Sequence, residues 1–321
     1  MPNALEVIGL EDLGIVRVRG VDAVRFLQGQ LSNDVARLGA GDSILAGYHN
    51  PQGRTIALLR LVQWDADPAT PGDILAVVPR ELAGVVASRL AKFVLRAKVK
   101  VADESAAWRV TGIVDVEPAA VARDAPGTGG ADGTGPRELP SSVSAQAHSD
   151  GAVFVRVGDE PARWLVISPA DAPDPMSGYA VGDRQTWLRL DIAAGQPQVY
   201  AATSEEFVAQ MLNLDVLNAI AFDKGCYTGQ EVIARAHYRG RVKRRMQRFV
   251  SRDACHLSPG DSGQLAGGRT FKVVLATQLA GGRCEFLAVA PLVGAAHDEA
   301  ATTPPATTVA DQVSLPYSLP D

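Results

Sequence analysis

The run Lys224-Gly225-Cys226-Tyr227-Thr228-Gly229-Gln230-Glu231 constrains this chain more than any other stretch. It sets a thiol, a lysine and a carboxylate on one tight turn, and the turn is expected to open a helix over 229–238. Thr228 and Glu231 have the spacing of a capping box, in which each side chain satisfies a backbone donor at the helix start. Cys226 is then expected just outside a positive helix end, with Lys224 two residues away. That setting lowers a thiol pKa and favours some thiolate near neutral pH. The competing expectation is plain packing, since a cysteine beside a cap is commonly a small buried side chain.

A chain of 321 residues is too long for one simple core and predicts about two or three domains. Hydrophobic content of 46% with 21% charged residues fits a globular protein, and no apolar run approaches the length of a bilayer span. A net charge of -5 argues against a protein that coats nucleic acid. Three cysteines with no Cys-x-x-Cys pair, and five histidines without ligand spacing, argue against a structural metal site. The sparse, odd cysteine count and the absence of a basic-then-apolar start at Met1-Pro2-Asn3 point to the cytoplasm.

Alternation over 13–19 predicts a strand, and Asp22 is placed to cap a helix over 23–31. The runs 43–49 and 54–62 flank Asn50-Pro51-Gln52-Gly53, which predicts a hairpin. A strand at 73–78 precedes a helix over 80–94, so the order reads as α+β rather than strict βαβ alternation. The Gly-, Pro- and Ser-rich stretch 123–151 reads as a flexible loop, with short strands at 152–157 and 163–168. A helix is expected over 203–220, with Thr203 and Glu206 as a second capping box. After Gly240 short strands at 246–251, 271–278 and 284–290 predict a small β domain, and 294–312 reads as a loop.

Arg235, Arg239, Arg241, Lys243, Arg244, Arg245, Arg248 and Arg252 crowd the segment after the focal turn. Such a cluster can hold phosphates or carboxylates, or it can be the solvated face of a strand. Arg235 and Arg239 lie nearest the turn and are the better ligand candidates. Trp187 can stack on a flat heterocycle or fill a core. Asp34 is a cap or an acceptor, and His49 and Asn50 are turn formers first.

Phe222-Asp223-Lys224-Gly225-Cys226-Tyr227-Thr228-Gly229-Gln230-Glu231 resembles the signature of the YgfZ family of folate-binding proteins, themselves similar to the T-protein (aminomethyltransferase) of the glycine cleavage system. The likeness extends to Phe26–Val35, Asn50–Arg54, Asp191–Pro197, Gln210–Leu214 and Leu315–Leu319. It implies a three-lobed, T-protein-like α+β fold: a folate-binding region over 1–238 and a C-terminal β-barrel over 239–321. It implies tetrahydrofolate as cofactor and iron–sulfur enzymes as partners, including radical enzymes that modify tRNA, without direct RNA binding or a membrane. Cys226 is then the key thiol with Lys224 beside it. Trp187 is then a folate wall. A pterin needs acceptors, which Asp34, Gln230 and Glu231 can supply, Glu231 only where its cap leaves it available, and Arg235 or Arg239 can pair with the carboxylates of the glutamate tail. The family's second folate-linked tryptophan falls near Leu13, where this chain has no aromatic. The T-protein carries catalytic carboxylates where Ala57 and Leu58 stand here, and neither can take a proton. The expectation is therefore not classical aminomethyl transfer; the alternative is a folate-dependent one-carbon transferase resembling the aminomethyltransferase.

Overall fold

A computed structural model describes residues 5–39, 41–64, 72–116, 139–240, 242–265, 268–292 and 307–320. The chain begins with strands β1 (Leu5–Gly9) and β2 (Leu13–Arg19) and a short helix α1 (Ala23–Gln28). The predicted hairpin is β3 (Ile44–His49) and β4 (Thr55–Gln63), followed by β5 (Asp73–Pro79), helix α2 (Arg80–Ala91), β6 (Lys100–Asp103) and β7 (Trp108–Asp115). Strands β8 (Gln146–Ser149), β9 (Ala152–Asp159), β10 (Ala162–Pro169) and β11 (Ala180–Val181) lead to helices α3 (Arg184–Ala193) and α4 (Gln230–Tyr238). The last strands are β12 (Arg244–Ser251), β13 (Ser262–Leu265), β14 (Thr270–Gln278), β15 (Cys284–Pro291), β16 (Thr307–Thr308) and β17 (Ala310–Val313).

The chain divides into two compact units, residues 1–26, 36–44 and 60–184 in the first and 27–35, 45–59 and 185–321 in the second. The first holds a six-stranded sheet of order β11-β1-β7-β10-β9-β8, over a core that includes Ile113, Phe154, Trp164 and Met176. It also holds β2 between β5 and β6. There Arg17 pairs with Asp73 and Glu104, and its guanidinium lies over the Trp108 ring. On α2, Leu82, Val86 and Leu90 are buried one turn apart and Ala83 and Ala87 flank them, so one apolar stripe docks the helix.

The second unit contains a sheet of order β16-β13-β14-β15-β12-β17. Its core stacks Phe249 on Phe286 and packs Phe271 tilted against Phe286, with ring centres 5.5 and 5.4 Å apart. The edge strands β16 and β17 are separated in sequence by Val309 alone. Two neighbouring segments can lie on opposite edges only if the sheet curls, so the strands wrap into a half-barrel. Arg245 is buried against the unit's core and pairs bidentately with Asp215 at 2.9 and 2.8 Å. The tail docks through Tyr317, whose hydroxyl donates to Gly195 O at 2.7 Å and accepts from Asn213.

Several expectations are corrected. The stretch 203–220 is not an α-helix but short 3₁₀ turns at Ala201–Thr203 and Ala209–Leu212. Asn213 and Asn218 adopt left-handed backbone at φ 57° and 53°, which no α-helix interior accommodates. Thr203 Oγ1 accepts from Tyr200 N–H rather than joining Glu206, whose carboxylate instead pairs with Lys272. The Asp22 carboxylate accepts from Lys98 N–H. Strand β8 occupies part of the predicted 123–151 loop, and β16 and β17 lie in the predicted 294–312 loop; residues 117–138 and 293–306 lie outside the described residues.

Replacing Asp215 by Ala strands a buried guanidinium, and urea unfolding should show a loss of about 3–5 kcal/mol. Tyr317→Phe removes hydrogen bonds without stranding a charge and should cost about 1 kcal/mol in the same assay.

Candidate functional site

The focal turn is organised by the Lys224 ammonium. It donates to the carbonyls of Gln28, Leu31 and Asn33 at 2.8, 2.7 and 2.7 Å, so all three of its protons are used. Burial pulls its pKa down to about 8, and the nearby Asp34 carboxylate opposes that shift. The clasped segment is itself cross-braced. Gln28 donates to Asp34 Oδ1 at 2.8 Å and accepts from Val35 N–H at 2.7 Å. Asn33 donates to Leu45 O and Asn218 O, and Ser32 Oγ donates to Ala219 O while accepting from Gly47 N–H.

The hairpin after β3 meets the start of α4 backbone to backbone. Asn50 Oδ1 accepts from the Gln52 and Arg54 amides, and Asn50 Nδ2 donates to Glu205 at 2.7 Å. Gly229 has φ 83°, and a Cβ there would stand 2.5 Å from Asn50 O and 3.1 Å from Gly53 Cα. Two glycines are therefore required by close approach as well as by backbone angle.

This packing corrects the predicted capping box. Gly229, not Thr228, is the N-cap of α4, no side chain caps it, and the helix begins at Gln230. Glu231 instead pairs with Arg235 at 2.7 Å, with side chains 85% and 69% exposed. Arg239 is exposed at the C-cap, its N–H donating to Arg235 O. Cys226 is exposed in the turn ahead of the helix. Gln230 Nε2 donates to Lys224 O at 3.5 Å, so Asp34, Lys224 and Gln230 belong to one polar network, whereas Glu231 and Arg235 face solvent. Trp187 is buried on α3, and Ala57 and Leu58 are buried on β4. Arg248 and Arg252 pair with Glu285 and Asp311, and Arg244 donates to Thr270 O, so these arginines serve the C-terminal sheet. Arg241 lies outside the described residues.

Two groups have more weight than their sequence suggests. Tyr227 is buried, its pKa pushed up to about 12 by burial, with the Lys224 ammonium 5.2 Å from its ring centre. His49 is 1% exposed, and its ring centre lies 6.4 Å from that of Tyr227. Neither His49 nitrogen has a hydrogen-bond partner, and burial lowers its pKa to about 3, so the imidazole is neutral. Gln30 Oε1 is likewise buried without a partner. Each such orphan costs about 1–3 kcal/mol. Tyr227 is legible as part of the motif; nothing in the sequence marks His49 beyond its place at a strand end. Among the described residues no three His, Cys, Asp or Glu side chains gather to hold a metal.

No protein-family model matches the chain. It is 31% identical to the tRNA-modifying protein YgfZ of Pectobacterium atrosepticum, over 87% of this chain and 81% of that protein. It is 29% identical to the protein of the same description from Cronobacter sakazakii, over 87% and 82% of the two chains. Among solved structures, the glycine cleavage system aminomethyltransferase T from Bartonella henselae superposes with a TM-score of 0.65 over 90% of this chain and 79% of that one, at 15% identity. The fold is thus the aminomethyltransferase fold, with mixed α+β layers.

Gly229→Ala should lower stability by about 1–3 kcal/mol in chemical unfolding, since it meets both a left-handed backbone and the Asn50 carbonyl. The unfolded chain protonates His49 near 6.5, whereas the folded protein delays this to about 3. The unfolded state thus binds more protons between those values. Stability from this group is complete above pH 6.5 and falls on acidification, by up to about 1.4 kcal/mol per pH unit. Unfolding free energies measured from about pH 7 to about pH 5 should show this slope, and His49→Leu should flatten it.

Proposed function

Because the chain belongs to the YgfZ family, we propose that it binds a reduced folate in the cytoplasm and supports assembly or repair of iron–sulfur enzymes, including those that modify tRNA, with Cys226 as the working thiol. The observation that carries the reading is the Lys224 clasp: it fixes the turn that presents Cys226 to solvent.

The donor set fits a folate. The buried nitrogens of His49 and Gln30 Oε1 lack partners, as groups awaiting a polar ligand do. Trp187 would wall the pterin, and Asp34 and Gln230 would meet its hydrogen-bonding edge. Arg235 pairs with the exposed Glu231, an interaction worth a few tenths of a kcal/mol, so it exchanges readily for a carboxylate of the glutamate tail, with Arg239 beside it. Glu231 serves as the resting partner of Arg235. When bound, the folate supplies a carrier for one-carbon units. Lys224 holds the turn in register, and Cys226 is open to a partner protein, sulfur or iron. Ala57 and Leu58 are apolar and buried, so no carboxylate there activates an amine, and aminomethyl transfer is not proposed.

Calorimetric titration of the full chain with 5-formyltetrahydrofolate should give saturable binding; no heat with any reduced folate would remove the folate reading. Trp187→Ala should weaken binding by about tenfold or more. Cys226→Ala, at an exposed position, should bind folate as the parent does, yet fail to restore cluster-dependent tRNA modification to a deletion strain. Full restoration by that variant would dismiss the thiol.

A further inference from the structure

Cys255 and Cys284 stand 29 positions apart in sequence and meet in the C-terminal sheet. Cys284 opens β15 opposite Gln278 of β14, and Cys255 follows the end of β12. Cys255 N–H donates to Gly282 O at 3.0 Å, which brings the segment after β12 beside the start of β15. The Cys284 thiol donates to Cys255 O at 3.0 Å. Gln278 Nε2 spans the two residues, donating to Cys255 O at 3.0 Å and to Cys284 Sγ at 3.4 Å. The two cysteine side chains also hydrogen-bond each other, and both are free thiols.

The two thiols differ in what they can do. Cys284 is fully buried in the cluster of Phe249, Phe271 and Phe286, and Cys255 packs half-buried against that cluster. Burial, and then the Cys255 sulfur, push the Cys284 pKa up to about 12. Cys284 therefore stays protonated near neutral pH and reacts only with a group delivered beside it. Cys255 is within reach of solvent and meets a small reagent first. A reachable thiol with a second thiol in contact is the arrangement that resolves a mixed disulfide within one chain.

We propose that Cys255 and Cys284 form a reversible disulfide site whose oxidant is a small disulfide of the glutathione class. The Cys255 thiolate attacks one sulfur of the small disulfide. A mixed disulfide forms, and the thiolate released takes up the proton that Cys255 gave to solvent. The Cys284 sulfur then attacks Cys255 Sγ. The bond between the two cysteines forms, and the second small thiol leaves with the Cys284 proton. Two protein thiols are oxidised and one small disulfide is reduced to two thiols. In a reducing compartment the dithiol is the resting form. The bond ties the end of β12 to the start of β15 across the chain that carries β13 and β14, so it staples the curled sheet. Cys226 takes no part, and the site stands independently of the folate reading.

The test uses the full chain carrying Cys226→Ala, so that only Cys255 and Cys284 remain as thiols. It is incubated with oxidised glutathione, then unfolded, alkylated and weighed by mass spectrometry. The expected product is lighter than the reduced chain by a pair of hydrogens, takes up no alkylating reagent and yields linked peptides containing Cys255 and Cys284. Dithiothreitol should restore both thiols. Adding Cys284→Ala should stop the reaction at glutathione on Cys255, whereas adding Cys255→Ser should leave Cys284 unmodified. The oxidised chain should melt at least about 3 °C above the reduced one, a gain absent from Cys255→Ser. Two alkylated thiols after oxidation, or linkage only between chains, would overturn the site. So would oxidation of Cys284 in Cys255→Ser, which removes Cys255 as the point of entry. A linked chain that melts no higher than the reduced one would overturn the staple.

Discussion

One ammonium group organises the second unit. Lys224 spends all three protons on carbonyls of a segment more than 190 positions away in sequence. The anchor is a cation against backbone dipoles rather than against a carboxylate, so it needs no buried anion and tolerates partial burial. A tetrahedral donor suits three convergent acceptors; the planar fork of an arginine would not. With the clasp in place, the segment 28–35, the end of β3 and the signature turn are held as one body. The exposure of Cys226 and the burial of Tyr227 follow from that arrangement.

Around the clasp, shape is set by small residues at crossing points. Gly229 and Gly53 let the hairpin tip and the start of α4 touch along their backbones. Gly195 leaves space for the ring of Tyr317, whose hydroxyl reaches the Gly195 carbonyl. The buried Arg245–Asp215 pair then ties β12 to the turn after Leu212. Polar and glycine residues thus place the site, while the aromatic core of the curled sheet supplies the mass it rests on.

Much of the architecture is legible in the sequence. The strand at 13–19, the hairpin about Asn50–Gly53, the helix after the signature turn and strands β12, β14 and β15 follow from periodicity and turn chemistry, and each forms in the structure. Two helical corrections share a cause: a left-handed residue interrupts a helical spacing. Thr228 and Glu231 have capping-box spacing, but the left-handed Gly229 shifts the helix start and frees Glu231 to meet Arg235. The apolar spacing over 203–220 looks helical, but Asn213 and Asn218 take the left-handed conformation that asparagine tolerates. Helix α3 leaves little trace in the sequence because it buries only Trp187 and Ile192, too few for a clear stripe. The signature motif marks the site, yet the importance of His49 is invisible there. Burial without a partner is a property of the packed chain, and no local pattern records it.

The half-barrel has a consequence for how the chain comes to be folded. Its two edge strands, β16 and β17, are neighbours in sequence and close opposite sides of the sheet. During synthesis, β12 and β13 emerge first and offer open strand edges until residues 307–313 leave the ribosome. Open edges invite pairing with other chains. The pairing that covers β12 and β13 therefore arrives in a single late step, when one short segment supplies both outermost strands.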